Sequence, residues 1–308
     1  MIRLTSPRRW FSIEHPARPA SPRAGNASVV EIRATPTADR HAKLEALREA
    51  LRATGGCLIA YSGGADSTLL LAVAADVLAD RCVAVTARSM LFPEHELRRA
   101  SEIAALLGVR HRVVDFDQLA IPAIAENSPR RCYHCKHALA RMLWEVAREH
   151  GLEHVADGAV VDDLGDYRPG LQATREAGII SPMIDAGITK ADVTALSEER
   201  GLPTAGLPSM ACYASRIPYG TTLDAEAVGR VARAEAALSA LGYTRLRVRH
   251  HGDIARIELP VEAVEDAARG PARSMIVDAA KAAGYVYVTL DLEGYRTGSL
   301  NEGLVEEG

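Results

Sequence analysis

The chain has 308 residues, 48% of them hydrophobic and 25% charged, and 36 Lys and Arg against 40 Asp and Glu leave a formal net charge of −4. That balance opposes a whole-surface grip on nucleic acid, and no apolar run reaches the roughly 18 residues that a membrane-spanning helix needs. Five cysteines in a chain of this length are too few for a disulfide scaffold, and no secretory leader is recognisable. The expectation is a cytoplasmic protein of two domains whose thiols stay free for metal or sulfur chemistry.

Residues 1–38 contain "SPRRWFSIEHPARPASPRAGNAS", rich in Pro, Arg, Ser and Ala, and are expected to form a disordered extension. Its arginines give it a weak likeness to an organellar transit peptide. Residues 39–205 alternate helical and strand patterns. Leu44, Leu47 and Leu51 mark a first helix that stops near Gly55. "CLIAY", "CVAVTA", "HRVVDF" and "HVADG" read as strands, separated by helices at "TLLLAVAADVLA", 94–107 and 134–149. Such alternation predicts an α/β fold with a parallel, doubly wound sheet covered on both faces. Residues 206–222 read as a loop-rich connector. Residues 223–303 read as a smaller α+β domain, with helices at 224–241 and 261–283 and strands at "RLRVRHH", "IARIELP" and "YVYVTLDL".

"AYSGGADSTLLL" places Ser62, Gly63, Gly64, Asp66 and Ser67 between the first strand and its helix. Glycines allow a sharp turn and close approach to an anion, and successive N–H groups at a helix start point toward it. The loop therefore suits a pyrophosphate. It lacks the lysine and spacing of a Walker A loop. Downstream, Asp157, Asp162, Asp163 and Asp166 cluster after the fourth strand, where they suit Mg2+ or a ribose hydroxyl. Arg168, before Pro169 and Gly170, is a candidate anion contact. Lys190 stands at a helix start, unfavourable for a cation unless an anion lies nearby, and is read as a phosphate contact.

"RRCYHCK" puts Cys132 and Cys135 among basic residues, and Cys212 lies far downstream in "ACYASR". The residues alone leave open a redox dithiol, a zinc site completed by His137, and a [4Fe-4S] cluster one thiolate short of four. Arg131, Lys136 and Arg216 would favour the thiolate form if they point inward. Cys57 and Cys82 lie in apolar strands and read as buried hydrophobes. Arg247 and Arg249 share one face of a strand, beside His250, and face either substrate or solvent.

"SGGADS" resembles the PP-loop of the ATP pyrophosphatase superfamily, whose fold is adenine nucleotide alpha hydrolase-like. "RCYHCK", "DGAVVDDLGDYRPG", "ITK", "ACYASRIPYG" and "VTLDLEGYRTGSLN" together resemble the LarE family of ATP-dependent sulfur transferases, over residues 40–302. The resemblance implies adenylation of a carboxylate of pyridinium-3,5-biscarboxylic acid mononucleotide, release of pyrophosphate and AMP, and formation of a thiocarboxylate for the nickel-pincer nucleotide cofactor. By the same resemblance Cys212, Asp66 and Arg216 are catalytic. Ser62, Gly63, Gly64, Asp66, Ser67, Asp157, Lys190 and Arg168 bind ATP and Mg2+. Cys132, Cys135 and Cys212 hold a [4Fe-4S] cluster, as in the three-cysteine members; in single-cysteine members the residue matching Cys212 gives up its own sulfur. Sulfide or a cysteine desulfurase would donate the sulfur, and the smaller domain would build a homo-oligomer, a hexamer in this family. Ala159, Val160 and Tyr213 depart from the family's usual residues. Rival readings are a tRNA thiolase with the same loop, which the net charge opposes, and a non-catalytic adenine nucleotide binder, which leaves three cysteines unexplained.

Overall fold

The computed structural model describes residues 36–165, 169–207, 211–296 and 298–300. Helix α1 (Pro36–Ala53) begins two residues before the expected end of the N-terminal extension, the rest of which lies outside the described residues. Strands β1 (Cys57–Ala60), β2 (Cys82–Arg88) and β3 (Arg110–Asp115) alternate with α2 (Ala65–Leu78) and α3 (Glu94–Leu106). After the short α4 (Pro122–Ala125) come α5 (Arg131–Glu149) and β4 (Val155–Ala156). The four strands form one parallel sheet in the order β3-β2-β1-β4.

The period of two in these strands decides what lies on each face. Cys57, Ile59, Cys82 and Ala84 bury against residues of α1, α2 and α3. Leu58, Val83, Val85 and Val155 bury against Ala140, Leu143, Val146 and Ala147 of α5. The sheet is thus doubly wound, as expected. Each fully buried Leu or Ile here contributes about 1.5–3 kcal/mol from lost water contact. Cys57 and Cys82 are paired across β1 and β2, and burial pushes both thiols up to about 12, so they pack as inert apolar groups.

Short helices α6 (Pro169–Glu176) and α7 (Pro182–Asp185) precede α8 (Lys190–Glu199). A capping box at Thr189 and Asp192 starts α8, with reciprocal side-chain to backbone bonds. The C-terminal region holds α9 (Ala225–Ala240), β5 (Arg247–His251), β6 (Ile254–Glu258), α10 (Val261–Ala267), α11 (Gly270–Ala282) and β7 (Tyr287–Leu290). Its sheet, order β5-β6-β7, is antiparallel between β5 and β6 and parallel between β6 and β7. It has its own apolar core around Leu238, Val248, Ile257 and Ile276.

Two expectations need correction. The helix expected at 261–283 is two helices, because Gly270 adopts φ +47° and Pro271, near the start of α11, cannot continue the preceding backbone bonding. The helix expected from 134 begins at Arg131, so both Cys132 and Cys135 lie inside α5 rather than ahead of it.

Candidate active site

Strand β1 pairs with β2 on one side and β4 on the other, so the chain changes direction across the sheet beside β1. In open parallel sheets the crevice at the carboxyl ends of such strands receives the ligand. The SGGADS loop occupies that place. Gly63 has φ +76°, and a Cβ there would stand 2.8 Å from the Cβ of Ala100 on α3, so both backbone and packing require glycine. Gly64 is the N-cap of α2 and supplies no capping side chain. The first N–H groups of a 14-residue helix thus face the crevice. Ser62 and Ser67 share a hydroxyl contact of 3.0 Å, and the Ser62 hydroxyl accepts from the Gly64 N–H at 3.3 Å. These contacts fix the shape of the loop at the start of α2.

The segment after β4 closes the other side. A Cβ on Gly158 would lie 2.9 Å from the backbone of Ser67, so only glycine lets this segment rest on the first turn of α2. Asp157 accepts from the Ser181 hydroxyl at 2.7 Å and from the Ala159 N–H at 3.2 Å. Asp162 accepts from the backbone N–H of Lys190 at 2.9 Å. The Lys190 ammonium lies 2.5 Å from Asp66 and 3.7 Å from Asp163. The anions beside this helix-start lysine are therefore carboxylates of the chain, set directly over the loop. Mg2+ is commonly held by one or two carboxylates plus substrate phosphates. Asp66 and Asp163 fit that requirement from the chain's side. Asp166 and Arg168 lie outside the described residues.

One strand over, at the carboxyl end of β2, two of the three cysteines meet. Cys135 and Cys212 are half-buried against one apolar cluster with Leu91, Ile124 and Tyr213. Burial pushes the Cys135 thiol up, and a hydrogen bond from Gln118 Nε2 to its Sγ, 3.1 Å, opposes that shift. Cys132 is exposed. Among the described residues no three Cys, His, Asp or Glu side chains converge as a metal-binding set. Cys132 lies one helical turn from Cys135 on α5, and Cys132 and Cys212 both act electrostatically on the Cys135 thiol, so these three are the residues that would hold the expected [4Fe-4S] cluster. His137, the fourth ligand of the zinc alternative, is exposed and stacks on Tyr133.

The Cys212 segment is tied down from both sides. Arg131 donates to the Ala214 carbonyl at 3.0 Å and to Asn127 Oδ1, and lies over the Tyr219 ring. Arg216 is 3% exposed and makes a two-pronged ion pair with Glu235 at 2.8 and 3.0 Å. It also donates to the carbonyls of Ala211 (2.8 Å) and Cys212 (3.4 Å). Arg216 therefore holds the cysteine loop in place. Arg249 is buried in a two-pronged pair with Glu258 and donates to the Ser215 carbonyl at 2.6 Å. Arg131 and Arg216 thus point inward, as the thiolate argument required, but their donors go to backbone and side-chain oxygens. Arg247 is half-buried over the Tyr295 ring, and burial, reinforced by Arg249 and Arg216, pulls it below the usual guanidinium value. His250 pairs with the Tyr285 hydroxyl at 3.2 Å.

Gly158, Asn127, Gln118 and Ser89 escaped the sequence reading. Gly158 stood within a recognised segment, where its proximity to an acidic cluster was a usable signal. The others are single polar residues without pattern.

A glycine-rich loop over an uncapped helix start, at the switch point of a parallel sheet, defines a nucleotide-using enzyme of the PP-loop class. No family model matches the chain. It is 39% identical over 262 residues, 85% of this chain and 93% of the relative, to the pyridinium-3,5-bisthiocarboxylic acid mononucleotide synthase of Lactiplantibacillus plantarum. It is 42% identical over 86% of its length to an uncharacterised protein of Synechocystis, of which it covers 98%. An argininosuccinate synthase of Natronomonas pharaonis shares 31% identity over 48% of this chain and 40% of its own. The chain belongs to the LarE family, and with these relatives it is an ATP-using enzyme.

Proposed function

We propose that the protein is an ATP-dependent sulfur transferase acting on a carboxylate of pyridinium-3,5-biscarboxylic acid mononucleotide. The observation that supports this best is the juxtaposition of two sites on neighbouring strands: a phosphate-cradling loop after β1, and the Cys135–Cys212 pair beyond β2. Adjacent strands lie about 4.8 Å apart, so activation and sulfur delivery share one crevice.

A substrate carboxylate oxygen attacks the α-phosphorus of ATP, the bond to the bridging oxygen breaks, and pyrophosphate leaves. The α2 N-terminus, the loop N–H groups and Lys190 stabilise the charge that develops on it. Asp66 and Asp163 are the residues that would hold Mg2+, which would supply further neutralisation of that charge. The carboxyl carbon is now attached to AMP, a far better leaving group than oxide. Sulfur presented at Cys212 attacks that carbon, and AMP departs with the original carboxylate oxygen. If the sulfur is the Sγ of Cys212 itself, the thioester is released by loss of the Cys212 Cα proton and cleavage of Cβ–Sγ. That leaves dehydroalanine and a protein lighter by the mass of hydrogen sulfide. If free sulfide supplies the sulfur, it attacks the acyl carbon of the Cys212 thioester, the bond from that carbon to Sγ breaks, and Cys212 leaves as a regenerated thiolate. The expected division assigns activation to residues 39–205 and places substrate and oligomer contacts in 223–303.

The test is pyrophosphate release on adding the biscarboxylate nucleotide with ATP and Mg2+, paired with detection of the thiocarboxylate by mass. Release triggered only by tRNA would overturn the reading in favour of a thiolase. Lys190→Met removes a charge-assisted contact worth about 1.5–3 kcal/mol. The expected result is a KM for ATP raised roughly 10- to 100-fold with little change in melting temperature, measured by the same pyrophosphate assay.

A further inference from the structure

Cys135 and the Cys212 segment are both anchored to one three-residue turn, Ser89–Leu91, immediately beyond the carboxyl end of β2. Ser89 donates its hydroxyl to Gln118 Oε1, and the Gln118 amide donates to Cys135 Sγ at 3.1 Å. Gln118 is 4% exposed, so its amide has few alternatives to these two partners. The same Ser89 hydroxyl accepts from the Leu91 N–H at 3.1 Å, fixing the turn. The Leu91 carbonyl then accepts from the N–H of Tyr213, next to Cys212, at 2.9 Å. Cys135 comes from α5 and Cys212 from a distant loop, yet each is placed relative to the strand beside the phosphate-binding loop.

We propose that Gln118 is a positioning residue for sulfur delivery: braced by Ser89, it holds the Cys135 sulfur in register with Cys212 and with the activated carboxyl. This rests on the sulfur-transfer reading above, and it gives a buried glutamine with no evident part in activation a specific task. A carboxylate at this position keeps an acceptor for Ser89 but has no donor for the sulfur. A leucine of similar size loses both bonds.

Two measurements test it. In the first, pyrophosphate and thiocarboxylate are counted from the same reaction. Wild type gives a ratio near one. Gln118→Glu and Gln118→Leu raise it about tenfold or more, with the acyl-adenylate accumulating and the KM for ATP unchanged, whereas Ser89→Thr, which keeps the hydroxyl, stays near wild type. A fold defect would instead depress both products together. The second needs no turnover. In a Cys132→Ser background, dibromobimane, which fluoresces when it bridges two thiols, links Cys135 to Cys212, and Gln118→Leu lowers the bridged fraction several-fold. A bridged fraction indifferent to Gln118 overturns the positioning role whatever the activity. A responsive fraction in a protein that makes no thiocarboxylate upholds the positioning and overturns the sulfur-transfer reading instead.

Discussion

Cys212→Ala is expected to release pyrophosphate at close to the wild-type rate in the first turnover while forming no detectable thiocarboxylate. Activation uses the SGGADS loop, Asp66 and Lys190, and none of these contacts the Cys212 side chain. The bonds that hold its loop go to backbone oxygens, including the Cys212 carbonyl, which accepts from the Ser215 N–H at 3.0 Å and the Ser215 hydroxyl at 2.9 Å. Alanine preserves them, so the variant should fold. Removing the nucleophile from a covalent step typically costs several orders of magnitude in rate. The readout is single-turnover pyrophosphate release beside mass detection of product. Cys132→Ala serves as the contrast. The Cys132 thiol is exposed and one helical turn from Cys135, and a route through Cys212 alone predicts that the variant retains most of the activity. Loss of activity in that variant, together with loss of bound iron and acid-labile sulfide from anaerobically purified protein, would establish the three-thiolate cluster instead.

Asn127→Ala is expected to cost about 3–5 kcal/mol of folding stability, because it removes a backbone preference and several buried bonds at once. Asn127 is fully buried with φ +54°. Its amide donates toward the carbonyls of Ile217 (3.3 Å), Pro218 (2.8 Å) and Thr221 (2.9 Å). Its Oδ1 accepts from the buried Arg131, and its own carbonyl accepts from the Gly220 N–H at 3.0 Å. Asparagine tolerates the left-handed region, whereas alanine there costs about 1–2 kcal/mol. Stripping Arg131 and the facing carbonyls of partners adds about 1–3 kcal/mol for each group left unsatisfied. Asn127→Gly separates the two parts: it relieves the backbone cost and should recover about 1 kcal/mol in denaturant unfolding. Equal losses in the two variants would show that the backbone conformation contributes nothing.

The two halves of the site were legible to different degrees. SGGADS could be read because glycine, serine and a following helix are each demanded by the geometry of anion binding. The sheet could be read because apolar strands such as CLIAY and CVAVTA, buried on both faces, have few alternatives. Lys190 stood out as a cation where the helix dipole opposes one, and its carboxylate partners, Asp66 and Asp163, account for that. The start of α5 was misplaced because neither Arg130 nor Ser128 gives a helix-capping pattern at the right spacing, and the split at Gly270–Pro271 was overlooked within a run of helix-forming residues. Asn127 and Gln118 were invisible for a more basic reason. Their importance lies in partners 90 and 17 residues away, in Ile217 and Cys135. No local period or motif encodes such contacts.

The ion pairs of Arg216 with Glu235 and of Arg249 with Glu258 have a mechanical consequence. Ser215 and Arg216 belong by sequence to the cysteine loop, but they are fastened to α9, β5 and β6. The loop behaves like a bridge deck with one abutment on Asn127 and Arg131 and the other on the C-terminal sheet. Whatever shifts that sheet moves the far abutment and so retunes the height of the sulfur above the crevice.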